Sequence, residues 1–264
     1  MILDKILTHK RQELEQRRQE ASMAEWKARA LERPPALDLC AALRDPGIKL
    51  IAEIKRASPS RGPMAPALDA AATTETYVTH GATAISVLTD ARFFSGNLDD
   101  LRAAVRRRDR LSASVPILRK DFVIDPLQVY ESRAAGADAL LLIVRALTPE
   151  RLAELVSLTH HLGMTALVEI HEACETRHLQ GLPVRLVGIN SRDLRTFRTD
   201  PTRFSRIRVH LQRDTLVVAE SGIRTPEDVH RAEEAGADAV LVGETIVTAS
   251  DPAEMVRRLA GGHV

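Results

Sequence analysis

The chain has 264 residues, 44% of them hydrophobic, and a formal net charge of +1. That length is near the upper end for one domain, and the balanced charge excludes a nucleic-acid footprint. No apolar run reaches the roughly 18–20 residues of a membrane helix, and two cysteines, Cys40 and Cys174, make neither a C-x-x-C site nor a disulfide framework.

Residues 1–45 open with Ile2, Leu3, Ile6, Leu7 and Leu14 at helical spacing, followed by a charged tract and Arg33-Pro34-Pro35. This start lacks the apolar centre of a signal peptide, so the expected location is the cytoplasm. The segment is predicted to be an extra helix packed over one mouth of the fold that follows.

Short apolar runs then recur at 50–55, 84–89, 116–120, 139–143, 165–170, 186–190, 215–220 and 239–244. Near-continuous apolar runs suit parallel strands covered on both faces. Between them, Asp125-Pro126, Thr148-Pro149 and Thr225-Pro226 each set a capping side chain before a proline at a first helical position. Ala134-Ala135-Gly136-Ala137-Asp138-Ala139 is echoed by Glu234-Ala235-Gly236-Ala237-Asp238-Ala239, with glycine ending a helix before the next strand. Eight such units, with no G-x-G-x-x-G after the first strand, predict an α/β fold of the closed (β/α)8 TIM-barrel kind. The expected organisation is one barrel domain over 1–264, with 1–45 as an N-terminal helical extension.

In such a barrel, chemistry occurs at the carboxyl ends of the strands. Glu53 and Lys55 share one strand face, and opposite charges there must pair or meet a ligand. The later strand ends bring Lys120, Arg145, Glu169, Asn190, Glu220 and Glu244. Phe93, Phe94, Phe122 and Phe197 also follow strand ends, where they either pin their loops or wall a slot for an aromatic ring. Ser221-Gly222 and Gly243-Glu244-Thr245 follow the last two strands, a common place for phosphate, with Ser58, Ser60 and Arg61 facing them from the first loop. The Glu244 carboxylate must turn away from any phosphate bound there. The histidines show no metal-ligand spacing, so no metal is assigned; His171 is expected as loop scaffolding and Arg145 as a solvated arginine.

Together, several motifs resemble the indole-3-glycerol phosphate synthase family over nearly the whole chain. They are Ile51-Ala52-Glu53-Ile54-Lys55-Arg56-Ala57-Ser58-Pro59-Ser60, Ile85-Ser86-Val87-Leu88-Thr89-Asp90 with Phe93-Phe94-Ser95-Gly96, Leu118-Arg119-Lys120-Asp121-Phe122, Leu167-Val168-Glu169-Ile170-His171, Gly188-Ile189-Asn190-Ser191-Arg192-Asp193-Leu194 and Ala219-Glu220-Ser221-Gly222-Ile223. Val242-Gly243-Glu244-Thr245 matches more loosely. Asn97 and Arg145 depart from the family's usual residues, outside the catalytic set.

The resemblance implies closure of a pyrrole ring, loss of CO2 and loss of water on 1-(2-carboxyphenylamino)-1-deoxyribulose 5-phosphate, with no cofactor and no metal. Lys120 would be the general acid, Lys55 would hold the carboxylate, Glu53 would pair with the lysines and move protons, and Glu169 would serve the anilino nitrogen. Asn190 would orient hydroxyls, and Ser221, Gly222 and Gly243 with Ser58 would hold phosphate. Phe94 and Phe122 would flank the ring, while Arg56, Arg192, Glu220 and Glu244 complete the expected substrate-binding set. The implied partner is a phosphorylated small molecule, with weak association with other enzymes of tryptophan biosynthesis. Other sugar-phosphate barrels (a phosphoribosylanthranilate isomerase or a Schiff-base aldolase) and a non-catalytic scaffold are the competing readings; the Glu53, Lys55, Lys120 and Glu169 set argues against them.

Overall fold

The eight apolar runs form eight parallel strands in the computed structural model, which describes residues 2–193 and 198–261. They are β1 Lys49–Ile54, β2 Ala84–Leu88, β3 Ile117–Lys120, β4 Ala139–Ile143, β5 Thr165–Ile170, β6 Leu186–Asn190, β7 Leu216–Glu220 and β8 Ala239–Val242. Each pairs with its neighbours in sequence, and β1 closes the barrel against β8 with Leu50 opposite Val240. Lys55 and Gly243, expected within strands, lie just beyond them.

Alternation along each strand builds two apolar layers. Ile51, Leu118, Leu141, Leu167, Val218 and Leu241 fill the barrel interior, while Leu50, Ala52, Val87, Leu140 and Val168 pack outward under the helices. Burying a side chain of this size stabilises the fold by about 1.5–3 kcal/mol. Helices start where proline follows a cap: Asp125, Thr148 and Thr225 each accept a first-turn N–H through the side chain. The repeated Gly-Ala-Asp also has a structural reason. Gly136 and Gly236 take left-handed backbone, at φ 96° and 89°, and Asp138 and Asp238 then accept N–H bonds from Ile117 and Val217 at the starts of β3 and β7.

Residues 2–42 close both mouths. Helix α1, Ile2–Glu20, inserts Leu3, Ile6 and Leu7 into the interior cluster beside Phe122 and Ile143, at the carboxyl ends of the strands. Helix α2, Met23–Leu31, brings Trp26 against Leu127 on the barrel's outer layer. Helix α3, Leu39–Ala42, then adds Leu39 and Cys40 to the same interior cluster from the opposite end, where Leu37 N–H donates to Asp138 and Asp38 pairs with Arg185. No helix among the described residues is long and apolar enough to cross a membrane.

Candidate active site

Strand ends converge on one pocket at the mouth roofed by α1. At its floor the Lys120 ammonium donates to Glu220 Oε2 at 2.9 Å and stands 3.7 Å from Glu53 Oε2 and 3.9 Å from Glu169 Oε2. Lys55 Nζ lies 2.7 Å from Glu53 Oε1. Burial pulls the Lys120 pKa down, but Glu220, Glu53 and Glu169 outweigh it and hold the ammonium charged well above the ordinary lysine range. Burial likewise pushes Glu53 up, and Lys55 and Lys120 overcome that to keep it ionised below its usual value.

Glu220 behaves oppositely. Burial raises its pKa to about 8, and the neighbouring Glu169 adds to the rise against the opposing pull of Lys120. Glu220 therefore favours its neutral, protonated form beside the ammonium at neutral pH. His171 sits behind them, fully buried, with Nε2 3.3 Å from Glu169 Oε1. Burial and the charge of Arg145 hold the imidazole down to about 4, so it is neutral, and its backbone N–H ties the loop to Glu175 at 2.6 Å, the scaffolding expected of it.

Two glycines make room for these acids. A methyl at Gly188 would meet Glu220 Cδ at 3.1 Å, and one at Gly243 would meet Glu53 Cβ at 3.0 Å. Gly243 thus clears space for a carboxylate, a reason distinct from the expected approach to phosphate.

The pocket has two unlike walls. Phe94 and Phe122 stand with ring centroids 6.1 Å apart under Ile2, Leu3 and Ile6 of α1. Across from them lie Ser58, Arg192, Ser221, Gly222 and the start of the short helix Glu244–Val247. Ser221, at φ 67°, donates to Asn190 Oδ1 at 2.9 Å, which also accepts from Arg192 N–H at 3.0 Å. Arg192 Nη1 donates to Ser60 Oγ at 3.0 Å, and Glu244 turns to Arg61 at 2.6 Å and Arg192 at 3.4 Å. The hydroxyls of Ser58 and Ser221, the Arg192 guanidinium and a helix start with no side-chain cap make this wall suitable for an anion.

Arg56 does not join them. After Lys55 the chain turns into a two-residue ribbon, Ala57–Ser58 against Gly62–Pro63, and the Arg56 guanidinium points outward to both oxygens of Asp100 and to the Leu68 carbonyl. Its partners are internal, so it braces the loop. Arg145 is likewise not solvated: it pairs with Glu175 and, at 3.3 Å, with Glu172. Phe93 packs on His9 instead of entering the pocket, and Phe197 lies outside the described residues. The helix expected over one mouth does line the cavity, through Ile2, Leu3 and Ile6; Lys10, buried behind them, had no signal in the sequence.

Among the described residues, no cluster of three or more His, Cys, Asp or Glu is disposed to hold a metal ion.

An ammonium ringed by carboxyls, between an aromatic wall and an anion-receptive one, is a candidate acid–base site at the mouth of a (β/α)8 barrel. Similar barrels include 3-hexulose-6-phosphate synthase from Salmonella typhimurium, with a TM-score of 0.64 and 15% identity over 81% of this chain and 98% of that one. Thiamine phosphate pyrophosphorylase from Pyrococcus furiosus aligns with a TM-score of 0.61 and 14% identity over 85% and 96%. At such identities the likeness is one of fold. The family model for indole-3-glycerol phosphate synthase matches residues 3–259. Proteins of that name from Roseiflexus sp. (strain RS-1) and Dehalococcoides mccartyi are 49% and 45% identical, covering 99% and 98% of this chain and 98% and 100% of their own lengths. The chain belongs to the indole-3-glycerol phosphate synthase family.

Proposed function

We propose that the protein converts 1-(2-carboxyphenylamino)-1-deoxyribulose 5-phosphate to indole-3-glycerol phosphate. The observation that carries this reading is the Lys120 ammonium, 2.9 Å from Glu220 and flanked by Glu53 and Glu169, between a phenyl-lined wall and an anion-receptive one. The substrate has those same parts: a ring, a reacting ketone, a carboxylate and a phosphate.

The phosphate docks against Ser58, Ser221, Gly222 and Gly243, with Arg192 nearby, and the ring lies between Phe94 and Phe122. Lys120 protonates the ketone oxygen as the ring carbon bearing the carboxylate attacks the carbonyl carbon. Lys55 holds that carboxylate until the carbon–carbon bond breaks and CO2 leaves, its electron pair restoring the ring. Water then departs: the hydroxyl on the former carbonyl carbon takes a proton from an ammonium, while Glu169, beside the anilino nitrogen, accepts a proton from the adjacent methylene carbon, so the ring double bond forms and the N–H is kept. Asn190, fixed by Ser221, orients the chain hydroxyls. The ammonium carries the proton to be given, and three carboxyls stand 2.9 to 3.9 Å from it to take one back. The same reading takes in a cytoplasmic location and weak association with other enzymes of tryptophan biosynthesis, which co-sedimentation of the purified enzymes would detect.

The test is an indole-fluorescence assay with the carboxyphenylamino-deoxyribulose phosphate in EDTA. A rising signal is expected. Folded protein that binds this substrate and yields no indole product overturns the reading.

A further inference from the structure

Lys10 projects from α1 into the barrel loops, and the residue is only 3% exposed. Its Nζ lies 3.0 Å from Asp121 Oδ1, 3.1 Å from Asp90 Oδ2 and 2.6 Å from Glu13 Oε2. Both buried aspartates have a second task. Asp90 Oδ1 accepts Phe93 N–H and starts the turn Ala91–Phe94, which ends in one aromatic wall residue. Asp121 follows Lys120 directly; its Oδ1 accepts Phe122 N–H, and its Oδ2 accepts from Thr89 at 2.6 Å and Arg119 at 2.9 Å. Arg119 continues to Glu131, and Glu131 returns to Arg17 of α1.

The spacing on α1 matters too. Leu3, Ile6 and Lys10 recur at helical intervals and share one face, so the ammonium is anchored about one turn from the side chains that roof the pocket. Burial opposes its charge, but Asp121, Asp90 and Glu13 hold it above the ordinary lysine range. Without it, two buried carboxylates would lose their common cation. The anion-receptive wall comes instead from Ser58, Arg192 and the turns that follow β7 and β8, whereas the ion-pair partners of Lys10 are Glu13, Asp90 and Asp121.

We infer that Lys10 is a positioning residue: it latches α1 over the aromatic half of the pocket and, through Asp90 and Asp121, sets Phe94, Phe122 and Lys120 beneath that roof. The inference rests on the proposed function for the identity of the ring received there, but the latch itself does not.

Lys10→Met and Lys10→Arg test it by two routes. Hydrogen exchange needs no substrate: Lys10→Met should raise amide exchange in α1 about tenfold or more, with exchange in β7 and β8 unchanged and Lys10→Arg closer to wild type. In turnover, Lys10→Met should raise KM about tenfold or more while inhibition by inorganic phosphate stays within about twofold. Unchanged α1 exchange overturns the latch whether or not the protein turns over this substrate. Parallel losses of substrate and phosphate affinity overturn the positioning role, since they mark general loosening. If Lys10→Met does not fold, Lys10→Met with Asp90→Asn, which removes one stranded charge, carries the same comparison. A wild-type protein inert toward the substrate, with α1 exchange responding as expected, sinks the proposed function and leaves the latch standing.

Discussion

Gly243 lies so close to Glu53 that a methyl added to it would stand 3.0 Å from Glu53 Cβ and 3.1 Å from Cδ. Its φ of −123° is one any residue could adopt, so the glycine is required by approach and not by backbone. Among the described residues, Glu53 is the carboxylate paired with both lysines. Gly243→Ala should therefore displace it from them, lowering kcat at least about tenfold with the fold retained. Near-normal kcat in a folded variant would show that the Glu53 position is not critical.

Lys120→Ala should bind substrate and lose about a thousandfold or more in turnover, because the general acid is gone while both binding walls remain. Equilibrium binding followed by single-turnover kinetics separates the two effects. Turnover near normal would move the acid role to Lys55.

Glu220 links the site to pH. A carboxyl whose pKa rises on folding adds stability that is complete below its ordinary value of 4.5 and is lost as pH climbs through about 8. The thermal midpoint should fall across that window. In Glu220→Gln, which keeps the neutral form, the fall should be shallower; an unaltered slope assigns the titration to another group.

Arg56→Ala should cost about 2 kcal/mol of stability, since it leaves the largely buried Asp100 carboxylate without its cation. KM should hold within about twofold, as the guanidinium faces away from the pocket. A large rise in KM with unchanged stability would return Arg56 to the substrate.

What could be read from the sequence follows from which forces are local. Strand positions were legible because a strand buried on both faces must be apolar throughout, and the strand ends then located Glu53, Lys120, Glu169 and Asn190. The direction of Arg56 was not, because an outward turn of the short ribbon after Lys55 decides it. Arg145 read as solvated because its partners, Glu172 and Glu175, come from the next loop. Lys10 was hidden for a related reason. On a helix as charged as α1, periodicity does not tell a buried lysine from a solvated one; its aspartates lie some 80 and 110 residues further along the chain.

The closure of both barrel mouths by residues 2–42 bears on how the chain reaches this shape. These helices leave the ribosome before any strand, yet the cluster into which Leu3, Ile6, Leu39 and Cys40 insert draws on strands as late as Leu241 in β8. Until that strand has been made, the roof and the floor lack much of the surface they cover. A segment synthesised ahead of every strand thus depends on the last strand for part of the surface that covers its apolar face.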